Sequence, residues 1–276
     1  DTITLTMEPD QAIKEPVVTF TIGGTERTAT VTKIGNDYTA EYTITGEDTG
    51  PISYKIEFES TADIPGNTIN NVTVITVDTE DPTMTVEVVN SDPAEWAKLG
   101  DTITLNMTAN EIIQQPTVVF TIGSDKVTGT LTPEDNSTTY TYTYTIQPNT
   151  GDISYTIDYQ DPAGNPGAQK TGPDATITVD TTPPTLTDFN ITSTGEGNTL
   201  ETGNTVTLTF KSSETLNNTP TVTFIVNSLD RPVTATNTGN DYTAEYTIAD
   251  DDTSGDFGYR ISDYQDQAGN PGETVT

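Results

Sequence analysis

The sequence predicts an all-β protein: three tandem antiparallel two-sheet sandwiches arranged as an extended rod. Three observations predict it. Apolar residues alternate with Thr and other polar residues in one short run after another, the period-two pattern of strands with one buried face, and no run has a helical period. Gly, Asn, Asp and Pro punctuate these runs about every ten residues, as in an all-β sandwich. The runs also recur. DYQDPAGNPG (158–167) returns as DYQDQAGNPG (263–272), with a weaker relative, EFESTADIPGN, at 57–67, and GNDYTAEYTI stands at both 35–44 and 239–248. Aligning the Gly-Asn pairs spaces the copies by 98 residues (67 to 165) and then 105 (165 to 270), one small domain per copy. The domains are read as 1–78, 79–180 and 181–276.

Strand B opens the first copy as DTITLTM (1–7), with counterparts DTITLNM (101–107) and NTVTLTF (204–210). TMTVEVVN (83–90) and TLTDFNIT (185–192) precede it as strand A in copies two and three; copy one shows none, so its A strand is expected upstream in a longer polypeptide or from another chain. Strand C follows as PVVTFTIG (16–23), PTVVFTIG (116–123) and PTVTFIVN (220–227). Its inner face is Val18, Phe20 and Ile22, then Val118, Phe120 and Ile122, then Val222, Phe224 and Val226. One shorter strand is expected from Ala29, Val127 and Val233, then a Tyr-rich strand at 35–44, 137–146 and 239–248. Strand F is SYKIEF (53–58), SYTIDY (154–159) and GYRISDY (258–264); strand G is VTVITVD (72–78), ATITVD (175–180) and ETVT (273–276). Seven strands per copy make a two-sheet sandwich. Tyr54, Tyr155 and Tyr259 on strand F fit two roles, a corner tyrosine whose hydroxyl bonds back to the chain or an aromatic on a half-buried strand.

Composition narrows the partners. Forty-two acidic against ten basic side chains give a net charge of −32 with no His, so nucleic acid and anionic membranes are repelled and small cations are the natural partners. The absence of Cys excludes disulfides, thiolate metal sites and Cys nucleophiles. No stretch approaches the roughly 20 apolar residues that span a bilayer, and no direct membrane insertion is expected. The first residue falls inside a strand pattern, which reads as a window in a longer chain.

VDTTPPTLT (179–187), the D-x-A-G-N turns at 161–165 and 266–270, and the G-D/N-T-h-T-L opening of strand B (h, Ile or Val) carry a family likeness. With them the chain resembles the bacterial Ig-like repeats of giant adhesins, surface-layer proteins and other exported prokaryotic arrays, over all three copies. The first copy departs from the D-x-A-G-N spacing, and the single Trp96 lies between strands A and B rather than on strand C. The resemblance implies immunoglobulin-like sandwiches, a place outside the cell, and Ca²⁺ between domains.

In an immunoglobulin-type sandwich the B–C and F–G loops lie at the end where strand A enters, so each F–G turn faces the linker from the preceding copy. At the first junction this gathers Asp78, Glu80 and Asp81 from the linker, Glu111 from the B–C loop, and Asp161 with Asn165 from the F–G turn. At the second the equivalents are Asp180, Glu214, Asp266 and Asn270; Glu111 lies six residues after Leu105, as Glu214 does after Leu208. Such all-oxygen donors on irregular loops select a hard cation, Ca²⁺ ahead of Mg²⁺. The alternative is that Asp and Asn only stabilise a turn through backbone bonds. Copy one is the poorer site, with Gln11 in the glutamate position and Ser60 in the aspartate position, leaving Asp63 or Asp10 to compensate.

No catalytic constellation is present, and no enzyme is expected: with His and Cys absent, the Ser and Thr residues have no positioned base. The expected function is a structural repeat segment of an exported cell-surface protein, whether adhesin stalk, surface layer or filament, partnered by further copies of the repeat. The rival is a carbohydrate- or receptor-binding module using cell-surface glycans or receptors, for which the Tyr140, Tyr142 and Tyr144 run would have to place tyrosines on an outer face; core packing is the other role open to them. Sequons at Asn71, Asn106, Asn136, Asn190 and Asn217 matter only where surface proteins are glycosylated.

Overall fold

The computed structural model describes residues 1–91, 95–173, 176–197 and 199–276. The first unit holds β1 (Thr2–Met7), β2 (Val17–Ile22), β3 (Thr25–Thr28), β4 (Thr30–Ile34), β5 (Asp37–Thr43), β6 (Gly50–Glu57) and β7 (Ile69–Val77). The second holds β8 (Met84–Asn90), β9 (Trp96–Ala97), β10 (Thr102–Ile113), β11 (Thr117–Ile122), β12 (Asp125–Val127), β13 (Thr130–Thr132), β14 (Ser137–Thr145), β15 (Gly151–Asp158), β16 (Lys170–Gly172) and β17 (Thr178–Val179). The third holds β18 (Leu186–Ser193), β19 (Thr205–Ser212), β20 (Thr221–Val226), β21 (Leu229–Thr234), β22 (Thr236–Thr238), β23 (Asp241–Thr247) and β24 (Phe257–Ser262). Of the strand G expected at 175–180, Ala175 lies outside the described residues.

In the second unit one sheet runs β13-β14-β10-β8, and the other β12-β11-β15-β17-β9 with β16 also on β15. In immunoglobulin lettering these are D-E-B-A and C′-C-F-G, the strand partition of that sandwich. The third unit repeats it as β18-β19-β23-β22 and β21-β20-β24; the first has β1-β5-β4 and β3-β2-β6-β7, without a strand A. Each unit has its own apolar core, centred on Phe20, Phe120 and Phe224 of strand C, all at most 1 % exposed.

The one short strand expected between C and E is two strands, on opposite sheets. The chain crosses at Ala29, Gly129 and Ala235, just before β4, β13 and β22. A small residue is needed there: a Cβ on Gly129 would lie 2.2 Å from the Thr143 carbonyl oxygen and 2.6 Å from the Tyr142 ring.

Tyr140, Tyr142 and Tyr144 face inward, so core packing is the role they take. Register decides it. They pair with Met107, Leu105 and Ile103, so the inner face of strand B fixes their side of the sheet. They are 2, 4 and 8 % exposed, and the Tyr142 and Tyr144 rings lie 5.6 and 6.0 Å from Phe120. Tyr54 does not make a corner; its hydroxyl accepts from Asn71, its partner across the β6–β7 ladder. The bond back to the chain belongs to strand E, where the Tyr38 and Tyr140 hydroxyls donate to the Ile13 and Ile113 carbonyls at 3.0 Å.

Candidate functional site

The F–G turn is built by its own aspartate. In the second unit Asp161 is fully buried; its Oδ1 accepts from the Gly164 amide (2.7 Å) and the Asn165 amide (2.9 Å), and its Oδ2 from the Asn165 side-chain amide (2.7 Å). Gly164 supplies the left-handed backbone at φ 97°, and Gly269 does so at 84° in the third unit. There Asp266 is held by Asn270 at 2.9 and 2.8 Å. The last glycine of each turn lies beneath the aromatic that ends strand F: a Cβ on Gly167 would fall 2.0 Å from the Tyr159 ring, and one on Gly272 1.9 Å from Tyr264. The motif Y-x-D-x-A-G-N-P-G is therefore first a folding unit.

The same hydrogen bonds reset the alignment of copy one. Ser60 donates its amide to Ile64 as Asp161 does to Asn165 and Asp266 to Asn270, so Ser60, Asp161 and Asp266 correspond. The copies are 101 residues apart (60 to 161) and then 105 (161 to 266), and the Gly66-Asn67 pair is not the counterpart of Gly164-Asn165. Asp63 takes the left-handed place of Gly164, at φ 64°.

Each complete turn reaches the preceding linker through its asparagine, whose side-chain NH₂ also donates to the Asp78 carbonyl (3.1 Å) or the Asp180 carbonyl (2.8 Å). Asn165 and Asn270 thus brace turn to linker with their nitrogens. Beside each brace the carboxylates converge: oxygens of Asp78, Glu111 and Asp161 lie within 4.8 Å of one another, as do those of Asp180, Glu214 and Asp266. Glu111 stands near the end of the long β10 and Glu214 just after β19. Glu80 is exposed, donates its amide to Asp78 Oδ1 at 3.2 Å and stands outside the triad, adding only its charge.

Crowding shows in the acidities. Burial, then the charges of Asp78 and Asp161, push the Glu111 carboxyl up; burial, then Asp180 and Asp266, do the same to Glu214. For Asp161 burial works upward too, but the hydrogen bonds from Asn165, Gly164 and Ala163 outweigh it and hold the group down. The first triad thus combines a pinned anionic Asp161 with a glutamate that like charge disfavours, and in the second like charge disfavours Glu214 in the same way.

At the corresponding place in the first unit a lysine does the joining. Lys14 bridges to Glu59 at 2.9 Å and to Asp63, so Asp63 is engaged by a cation and the compensation considered for copy one is not built. Gln11 and Asp10 instead line an apolar cavity at that end.

One polar cluster escaped the sequence reading. Asp48 is 1 % exposed and accepts from Arg27 Nε (2.7 Å), the Tyr42 hydroxyl (2.9 Å) and the Thr45 amide (2.8 Å). In the third unit Asp252 accepts from Arg231 Nε (2.9 Å), Tyr246 (2.6 Å) and the Ala249 amide (2.8 Å). Arg27 and Arg231 pair with Phe20 and Phe224 in the ladders, where the second unit has Val127. The Thr45 amide and Arg27 hold Asp48 well below the ordinary carboxylate range against the burial that opposes them.

No protein-family model matches the chain, and no curated protein matches it. Among solved structures it is similar to one of a 1.5-MDa bacterial ice-binding adhesin, at 19 % identity over 99 % of this chain and 87 % of that one, TM-score 0.44. It is also similar to the full ectodomain (Ig1–Ig3) of mouse nectin-like molecule 4, at 14 % identity over 97 % and 90 % of the chains, TM-score 0.36, and to an ICAM-5 D1–D4 ectodomain fragment, at 12 % over 99 % and 70 %, TM-score 0.34. At these TM-scores the fold class stands on the sheet topology itself.

Proposed function

We propose that the chain is a structural repeat segment of an exported cell-surface protein of the bacterial Ig-like repeat kind, and that Ca²⁺ at its two junctions holds neighbouring units in an extended rod. The observation that supports this is the repetition of one acidic triad, assembled from linker, B–C segment and F–G turn, at both junctions. Two oxygens bound to one Ca²⁺ at 2.3–2.6 Å stand at most about 5 Å apart, and the spread of each triad fits that limit. Carboxylates alone favour a hard cation, and loop-borne ligands suit the flexible coordination of Ca²⁺. The ion would supply the positive charge that the triad lacks; Asp161 and Asp266 would be the preset ligands, and Asn165 and Asn270 would keep the linker in place.

The energetic demand is modest. With dissociation constants on the order of 10⁻⁴ to 10⁻³ M, millimolar Ca²⁺ contributes roughly 0.4 to 1.4 kcal/mol per site, enough to bias a hinge. Pro82 and Pro184 are buried where each linker enters the next unit, and Pro183 further restricts the second linker. Adhesin stalk, surface layer and filament all use such a segment, with further repeats as its partners. The carbohydrate-binding alternative loses its footing with the tyrosines inside the core. No described helix is long and apolar enough to cross a membrane, in keeping with a segment displayed outside one. Small-angle scattering with 1 mM Ca²⁺ and with chelator tests the proposal: the ion should lengthen and stiffen the particle, and identical profiles would remove it from the mechanism.

A further inference from the structure

Each linker leaves its unit through one dipeptide, Asp78-Thr79 or Asp180-Thr181, directly after a valine buried in the core behind it, Val77 or Val179. The dipeptide is tied in two directions. The Asp78 and Asp180 carbonyls accept from the Asn165 and Asn270 side chains of the unit that follows, at 3.1 and 2.8 Å. The threonine hydroxyls point back. Thr79 Oγ1 lies 3.2 Å from the Asp48 carbonyl and 3.4 Å from that of Gly46, and Thr181 Oγ1 donates to the Asn149 carbonyl at 3.1 Å. These acceptors all lie on the E–F loop of the unit that the linker is leaving. In the first unit that loop is itself fixed, because the buried Asp48 carboxylate is held by Arg27, Tyr42 and the Thr45 amide. The cluster therefore reaches beyond its own unit: it sets the carbonyl to which the linker is tied. Between the ties each aspartate closes a turn, Asp78 Oδ1 on the Glu80 amide (3.2 Å) and Asp180 Oδ1 on the Thr182 amide (2.9 Å).

The order of the ties along the chain matters more than their number. The tie to the following unit sits on the residue before the tie to the preceding one, so the two cross. A turn about any linker bond before the aspartate carbonyl carries the threonine off its E–F loop, and a turn about any bond after it carries the following unit's asparagine off the carbonyl. In the opposite order the bonds between the ties would form a free hinge. We propose that the Asp-Thr step is a crossed-tie lock, in which Thr79 and Thr181 are positioning residues that fix the direction of each linker before any cation binds. The lock concerns the same two junctions as the proposed Ca²⁺ and rests on the reading that they hold neighbouring units in a set relation. It supplies direction, whereas the ion would relieve the crowding of carboxylates whose main chain the lock already holds.

The chain has no Cys, so introduced cysteines carry spin labels at chosen sites. Glu41→Cys with Thr139→Cys spans the first junction and Thr139→Cys with Glu245→Cys the second, all at exposed positions on strand E. Distances between labels are measured by pulsed electron resonance on the intact chain in chelator. Thr79→Val removes the hydroxyl and keeps the shape; it should raise the population outside the wild-type distance peak at the first junction by about two- to tenfold, as the loss of one hydrogen bond does, and leave the second unchanged. Thr181→Val should do the converse. Thr79→Ser and Thr181→Ser keep the hydroxyl and should return the wild-type distribution. A distribution that valine leaves unchanged, broadening by serine equal to that by valine, or broadening accompanied by faster amide exchange throughout the unit the linker leaves would each overturn the proposal. Because the comparison is made in chelator and both threonines stand outside the triads, absence of any Ca²⁺ effect would remove the ion and leave the lock, and failure of the lock would leave the ion's site untouched.

Discussion

Glu214→Gln should stabilise the third unit without Ca²⁺ and blunt the stabilisation that Ca²⁺ adds. In the ion-free chain Glu214 faces Asp180 and Asp266 with oxygens within 4.8 Å. At an effective dielectric of 20, like charges at that distance repel by about 3.5 kcal/mol per pair; solvent at a half-exposed cluster reduces this several-fold, leaving on the order of 1 kcal/mol for removing the Glu214 charge. The neutral isostere should therefore raise the melting temperature of the ion-free third unit by roughly 5 °C. With 1 mM Ca²⁺ the wild type gains roughly 0.4 to 1.4 kcal/mol, whereas a site stripped of one of three carboxylates and bound about tenfold more weakly gains at most about 0.4. Calorimetric scans of both proteins in chelator and in Ca²⁺ give the four values needed. Equal gains from Ca²⁺ in wild type and variant would refute the triad as the binding site, and no stabilisation in chelator would refute the repulsion on which it is argued.

Acidity gives a second test. The folded-state values of Glu111 and Glu214 are raised above 4.5, so their contribution is fully present below pH 4.5 and is lost as pH rises through the folded values; those of Asp48 and Asp252 are lowered below 3.8, so theirs is present above pH 3.8 and is lost as pH falls through the folded values. Stability of the ion-free chain should accordingly rise from pH 7 toward 4.5 and fall below about 3.8, and added Ca²⁺ should flatten the upper limb; a curve with no rise would contradict the crowding. Gly272→Ala should cost about 1 to 3 kcal/mol in chemical denaturation, since its Cβ would meet the Tyr264 ring at 1.9 Å. Tyr140→Phe should cost about 1 to 3 kcal/mol, because the Ser137 amide and the Ile113 carbonyl lose a buried partner; a neutral result would show that water replaces the hydroxyl.

Strand order and facing were legible because period-two alternation carries both: every inner-face residue named on strand C, apart from the half-buried Val118, is buried. The acidic residues of the two triads were legible as well, since the B–C and F–G loops must meet the incoming linker in this topology. What alternation cannot report is which sheet a short strand joins, and the crossing at Ala29, Gly129 and Ala235 was therefore missed. Nor does it tell an inner from an outer parity where Tyr and Thr alternate; the facing of Tyr142 is decided by Leu105, its ladder partner. The Asp48 and Asp252 clusters were hidden for a different reason. Each joins residues about twenty apart through side-chain bonds that no backbone period marks.

The first unit offers a contrast to the acidic triads. Its B–C and F–G loops need joining as much as the others do, and it joins them with Lys14 against Glu59 and Asp63. A lysine ties loops of its own unit. A triad that includes Asp78 or Asp180 also spans to the neighbouring unit, and the asparagine bond to the linker carbonyl lies at the same place. If Ca²⁺ binds the triads as proposed, a fixed cation within the chain and an exchangeable one between units would meet one loop-closing need in two ways, and only the second would make stiffness depend on the surroundings. Exchanging them is the decisive experiment: Glu214→Lys should hold the second junction through Asp180 and Asp266 without Ca²⁺. Scattering from that variant should lose its response to chelator at this junction while the first junction keeps its own. A full response in the variant would mean that the junctions are held by the asparagine bonds and linker prolines alone.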